Sequence, residues 1–232
     1  MTQNDRFSVI LRGYYGSGKT TLARLLVPLI ALYTYQVPNM GKVFISPLAG
    51  LHVVDECHTI SSYTGLYPLM ETNNFVFCTN MGSELPEPFI NRCFEFRMGE
   101  YTTDELANII KVHANLENIE LEPTICKFIG DRSKGIPRTG VMLLRKYLSI
   151  CKLGRLGFSL STVEDIFAEL GIGSNGLNSL DRSYLEALST GIKSKGTLQA
   201  IISVDDKELG RIERFLINQG LVEVTSKGRK LI

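Results

Sequence analysis

The stretch Gly13-Tyr14-Tyr15-Gly16-Ser17-Gly18-Lys19-Thr20 decides the fold. Before it lies a short apolar, partly β-branched run, Phe7-Ser8-Val9-Ile10-Leu11, with the texture of a strand buried in a parallel sheet. After it, residues 21–33 (TLARLLVPLIALY) read as a helix. Strand, glycine loop and helix in this order form a phosphate cradle. Glycines let the backbone turn its N–H groups inward, and the helix presents its positive N-terminal end. In this reading Gly13, Gly16, Ser17, Gly18 and Thr21 shape the cradle, Lys19 reaches the β- and γ-phosphates, and the Thr20 hydroxyl ligates Mg²⁺. The implied ligand pair is ATP and Mg²⁺.

Such a loop needs an acidic partner on a second strand. Leu51-His52-Val53-Val54-Asp55-Glu56 supplies it, with Asp55 on the metal side and Glu56 polarising the attacking water. Hydrolytic motors carry this second carboxylate, whereas many nucleotide kinases do not. A third strand, residues 74–80, ends in Thr79-Asn80. If it lies between the other two, Asn80 points at the γ-phosphate, with Thr79 the second choice. The following segment SELPEPFINRCFEF carries Arg92, placed to reach a neighbouring subunit's nucleotide and offset charge on the transferred phosphoryl group. Arg97 competes for that role but follows the predicted strand over residues 93–96 and comes too late.

Composition narrows the class. With 232 residues, Lys+Arg 25 and Asp+Glu 24, the chain is neither a basic nucleic-acid coat protein nor an acidic tail, so any DNA contact comes from a local patch. Five scattered cysteines without a CxxC pair argue against a disulfide framework or a zinc site and fit a reducing cytosol. The N-terminus lacks a signal pattern, and the longest apolar stretch, residues 25–33, contains Pro28 and is about half of what a membrane span needs. The expectation is a soluble, cytoplasmic protein.

From Tyr101 the texture turns helical. Thr102-Thr103-Asp104-Glu105 has capping-box spacing and opens a helix with Leu106, Ile109, Ile110 and His113 on one face. A second helix is predicted over 123–133. Gly135-Ile136-Pro137-Arg138 then starts a third over 139–151, with Val141, Leu144, Leu148 and Ile150 apolar, and Arg138 placed to lean over a nucleotide. A fourth covers 161–170, and the Gly/Ser/Asn-rich residues 171–179 read as an interdomain joint. Beyond it, helices over 180–190, 196–203 and 205–219 precede strands at 221–225 and 229–232 around Ser226-Lys227-Gly228, the order of a winged helix. Lys207, Arg211 and Arg214 on its third helix, and Lys227, Arg229 and Lys230 at its wing, suit phosphate contacts on duplex DNA. Winged helices also dock proteins, so both roles stay open for this segment.

These residues resemble the AAA+ ATPases and, more narrowly, the RuvB family of Holliday-junction branch-migration motors. The similar segments are GSGKTTLARLL, DECHTI, YPLME, ELPEPFINRCF, RSKGIPRTGVMLLRK, GLNSLDRSYLEAL and FLINQGLVEVTSKGRK. The resemblance implies an α/β P-loop AAA+ core over 1–100, a helical lid over 101–173 and a DNA-binding winged helix over 174–232. It implies Lys19 and Thr20 at phosphate and Mg²⁺, Asp55 and Glu56 as the Walker B pair, and Asn80 or Thr79 as the first sensor. Arg92 becomes a finger acting in trans, Arg138 the second sensor, and Arg229 a wing residue near the DNA backbone. The implied assembly is a hexameric homo-oligomer around duplex or four-way-junction DNA, with a junction-recognition accessory protein as a further partner. Two departures are expected. About six residues precede Phe7 where the family has a sizeable segment, and residues 57–74 are too few to hold both a helix and the hairpin that grips RuvA. The stretch between the two Walker motifs, with Pro38 and Pro47, is also short. The leading expectation is an ATP-driven DNA motor. The alternative is an AAA+ loader using ATP as an assembly switch, although a clamp-loader subunit more usually ends in a helical collar. A non-hydrolysing DNA-binding regulator fits poorly with Asp55, Glu56, Asn80 and Arg92 together.

Overall fold

Apolar inner strands set the architecture of the N-terminal unit. The computed structural model describes residues 6–25, 33–39, 41–46, 50–173 and 176–232. Residues 26–32 of the predicted first helix, Pro47, and Ser174-Asn175 of the joint lie outside the described residues, and Tyr33, the last residue predicted for that helix, belongs to a strand instead. The chain packs as two units, Met1–Tyr101 and Thr102–Ile232. In the first, β1 (Ser8–Arg12), β2 (Tyr33–Gln36), β3 (Leu51–Val54), β4 (Asn74–Thr79) and β5 (Phe94–Arg97) pair in parallel in the order β2-β3-β4-β1-β5. All four residues of β3 and five of six in β4 are buried, as strands covered on both faces require. Residues alternate between two cores. Ile10, Val54, Phe75, Phe77 and Phe89 fill one, while Leu11, Ala23, Leu51, Val53, Val76 and Cys78 fill the other. The helices α1 (Lys19–Leu25), α2 (Tyr67–Thr72) and α3 (Glu87–Ile90) belong to this unit. β4 does lie between β3 and β1, the condition on which the reading of Thr79 and Asn80 rests. Arg97 proves to be the last residue of β5 rather than a residue beyond it, with its Nε on Glu95 at 2.8 Å.

The second unit begins with α4 (Thr103–Leu116), α5 (Pro123–Asp131), α6 (Pro137–Gly154) and α7 (Leu160–Glu169). The Thr102–Glu105 capping box is present in full. α6 extends past the predicted helix at both ends, starting earlier because Pro137 opens it at the first helical position, where its fixed φ suits the helix and its missing N–H costs nothing. Its core stripe is Leu143, Leu144, Tyr147, Leu148 and Cys151, so Val141 and Ile150 only flank the buried face. Next come α8 (Ser179–Ser189), α9 (Lys195–Ile202), α10 (Asp206–Asn218) and the antiparallel pair β6 (Val222–Thr225) and β7 (Gly228–Leu231), a winged helix. The predicted joint is fastened on both sides. Arg182 donates to the carbonyls of Gly171 at 2.8 Å and Leu177 at 3.0 Å, and Lys134, beside α5, pairs with the fully buried Asp181 of α8. Among the described residues no helix is long and apolar enough to cross a membrane.

One residue predicted to contact DNA is engaged within the winged helix itself. Arg229 does not extend from the wing. Its Nε donates to Glu213 Oε1 at 2.7 Å and its Nη2 to Oε2 at 3.2 Å, tying β7 to α10, and the Tyr184 hydroxyl donates to the same carboxylate at 3.1 Å. The two charged side chains are 18% and 10% exposed, and a carboxylate that deep requires a matching cation. Glu213 in turn holds the Arg229 guanidinium above its ordinary pKa, and burial followed by the Glu213 charge pushes the Tyr184 hydroxyl upward. Lys230 pairs with Glu223 across the ladder at 3.1 Å, Lys227 and Arg211 are exposed, and Arg214 is half-buried. Replacing Arg229 by Ala strands a largely buried carboxylate and is expected to cost about 3 kcal/mol of unfolding free energy, against less than ~0.5 kcal/mol for Lys227→Ala on the exposed turn. Denaturant titration of the two variants checks the contrast.

Candidate functional site

The glycine loop leaves β1 at its C-terminal end. Gly13 N–H donates to the carbonyl of Thr79 at 3.3 Å, so the loop begins against the end of β4. A Cβ at Gly13 would come within 2.8 Å of Ser17 Oγ and 3.0 Å of Met98 Cβ, and Gly18 takes φ +91°, where a side chain is strained. Ser17 N–H bonds the Tyr14 carbonyl at 3.1 Å, and the Tyr101 hydroxyl donates to the Ser17 carbonyl at 3.0 Å. Lys19 is 7% exposed, with Nζ donating to the carbonyls of Gly13 and Tyr14 at 2.9 Å each. Ser17 Oγ is buried with no hydrogen-bond partner. A buried ammonium, an orphaned hydroxyl and a helix start in one tight turn fit a polyphosphate.

Across from the loop stands the acidic pair. Thr20, in the first turn of α1, donates from Oγ1 to Asp55 Oδ2 at 2.7 Å. The same oxygen accepts the Tyr35 hydroxyl at 2.9 Å, while Asp55 Oδ1 accepts the Glu56 N–H at 3.0 Å. A hydroxyl and a carboxylate side by side are the hard oxygen donors that Mg²⁺ takes alongside substrate phosphates, so the residues fit that cation. Burial, reinforced by the Asp55 bond and charge, pushes the Tyr35 hydroxyl up to about 12 and keeps it a donor. Glu56 adopts φ 49°, a left-handed backbone that costs energy outside glycine and recurs at functional turns. His58, on the short 3₁₀ turn that follows, places Nδ1 3.5 Å from Glu56 Oε2 and 3.1 Å from Thr79 Oγ1. Thr79 is fully buried and its hydroxyl accepts the Met81 N–H at 3.0 Å.

Lys19, Thr20, Asp55, Glu56 and Thr79 therefore converge at the ends of β1, β3 and β4. Asn80, the preferred first sensor by sequence, is exposed, and it is Thr79 that connects through His58 to Glu56. Arg92 is exposed but ordered, with Nη1 on the Pro88 carbonyl at 2.6 Å and the guanidinium 4.4 Å from the Tyr67 ring centroid. Arg138 is the second residue of α6, exposed, in the other unit. Sequence reasoning missed Tyr35 and His58. His58 lay inside a quoted motif without a role, and Tyr35 sat in a strand that no motif marked.

Comparison with known proteins bears on the whole chain. Residues 174–232 match the family model of the RuvB C-terminal winged helix domain. The Holliday junction branch migration complex subunit RuvB of Desulfosudis oleivorans is 29% identical over 96% of this chain and 76% of its own length. That of Campylobacter hominis is 32% identical over 58% of this chain, and the match spans 41% of the relative. Among solved structures, the Thermotoga maritima RuvB Holliday junction branch migration motor superposes with a TM-score of 0.82 at 24% identity, covering 97% of this chain and 84% of that one, a likeness of fold. From the loop geometry, Gly13→Ala is expected to destabilise the protein by about 1–3 kcal/mol through overpacking against Ser17 and Met98, measurable as a lowered thermal midpoint.

Proposed function

Because the chain is RuvB-like in sequence and fold, we propose that it is an ATP-hydrolysing DNA motor that drives branch migration of Holliday junctions as a ring of identical subunits. Residues 1–100 would serve as the motor core, 101–173 as the lid and 174–232 as the DNA-binding domain, acting in the cytoplasm. The observation that carries this reading is the 2.7 Å bond between Thr20 and Asp55, which brings the phosphate loop against the Walker B pair in a chain ending in a RuvB-type winged helix.

Loop N–H groups and Lys19 bind the β- and γ-phosphates, and Thr20 with Asp55 would hold Mg²⁺. The cation, when bound, withdraws charge from the phosphate oxygens. The Glu56 carboxylate takes a proton from the attacking water, with His58 and Thr79 fixing its side chain and Asn80 available at the same strand end. Arg92, preset against Tyr67 and Pro88, is assigned to the γ-phosphate of a neighbouring subunit, and Arg138 to sensing phosphate state from the lid. Arg211, Arg214, Lys227 and Lys230 supply the DNA phosphate contacts, while Arg229 supports the wing from within.

The decisive measurement is ATP-dependent strand displacement from a synthetic four-way junction, compared with forked and linear duplex and run without an accessory protein. Junction-specific displacement is expected, whereas ATP-dependent assembly on DNA with no displacement indicates a loader. Glu56→Gln should lower ATP turnover by about 10²-fold or more while ATP binding is retained. Arg92→Ala should lose about 10³-fold in turnover, and mixing it with Lys19→Ala should restore part of the activity by joining one subunit's intact pocket to another's intact finger. Equilibrium binding and mixed-subunit turnover assays read these outcomes.

A further inference from the structure

β2 lies at the edge of the sheet, and in its parallel register Tyr35 stands opposite Val53. Asp55, two residues beyond Val53, therefore shares the face of Tyr35 and falls within the diagonal reach of a long side chain. The ladder continues to that point, since Asp55 N–H donates to the Gln36 carbonyl at 2.8 Å. Tyr35 uses this reach, its hydroxyl donating to Asp55 Oδ2 at 2.9 Å. Thr20 donates to the same oxygen and Glu56 N–H to the other, so donors from β2, α1 and the turn after β3 hold the carboxylate. Helix α1 also secures the tyrosine. Arg24 follows Thr20 by one turn on the same helical face, and its guanidinium lies 4.6 Å from the Tyr35 ring centroid.

On the nucleotide-site reading above, we propose that Tyr35 is a positioning residue that presets the Asp55 carboxylate for the divalent cation. The phosphate-loop reading commits the Thr20 oxygen to the cation, which leaves the Tyr35 hydroxyl and the Glu56 N–H to keep Asp55 from rotating. Outer hydrogen bonds to metal-facing ligands typically change metal affinity by about 10–100-fold, and the 38% exposure of Tyr35 puts its effect at the lower end of that range.

The test uses the full chain and Tyr35→Phe, which keeps the ring under Arg24 and removes only the hydroxyl. Binding of a fluorescent ATP analogue (mant-ATP) is followed first in EDTA and then as Mg²⁺ is added. The expected result is metal-free affinity within about twofold of the unmutated chain and a Mg²⁺ midpoint raised about tenfold. A midpoint within twofold of the unmutated value overturns the assignment. So does an equal loss of affinity with and without Mg²⁺, which is the signature of disturbed packing rather than of carboxylate positioning. If the unmutated chain itself shows no Mg²⁺-dependent binding of the analogue, the nucleotide-site reading has failed, and this one with it.

Discussion

The hydrogen bond between Thr20 and Asp55 depends on the order of the strands, and the rest of the site depends on that bond. β1 delivers the glycine loop and α1, β3 delivers the acidic pair, and β4 is threaded between them. Because all three run parallel, their C-terminal ends open on one edge, where loops from different strands can meet. Thr79, at the end of β4, receives the first N–H of the loop on its carbonyl and His58 on its hydroxyl. The glycine loop, the carboxylates and the strand between them thus form one hydrogen-bonded set rather than three neighbouring motifs.

A second constraint organises the wing. Burying Glu213 in α10 demands a cation, and Arg229 supplies a two-pronged one from β7. Arg211 and Lys227 are exposed, while Arg229 fixes the hairpin on the helix. Basic residues a few positions apart in sequence thus divide into those that hold the wing and those that it displays. The Lys134–Asp181 pair has the same character, since it fastens the helical bundle to the winged helix at a carboxylate with no exposed surface. A stretch of glycine, serine and asparagine that reads as a loose joint is bridged by these side chains from its flanks.

Much of the architecture was legible in the sequence because its signals are local. Glycine spacing, the apolar runs of β1, β3 and β4, and the Thr102–Glu105 cap each act within one element, so periodicity and propensity reveal them. The same holds for the places of Lys19 and Thr20 at the start of a helix and of Asp55 and Glu56 at the end of a strand. Where two adjacent residues compete, locality fails. Asn80 is the more polar and looks the better sensor, yet it is exposed, while the buried Thr79 is the one that His58 reaches.

By itself, then, the sequence determined the class of the fold, most of its elements and the glycine loop, since these are properties of short segments. Only the tertiary structure decided that Tyr35 reaches Asp55, that His58 lies between Glu56 and Thr79, and that Arg229 turns inward to Glu213. Each of those contacts joins residues on different elements, and strand register or burial, rather than any spacing along the chain, sets which side chains meet.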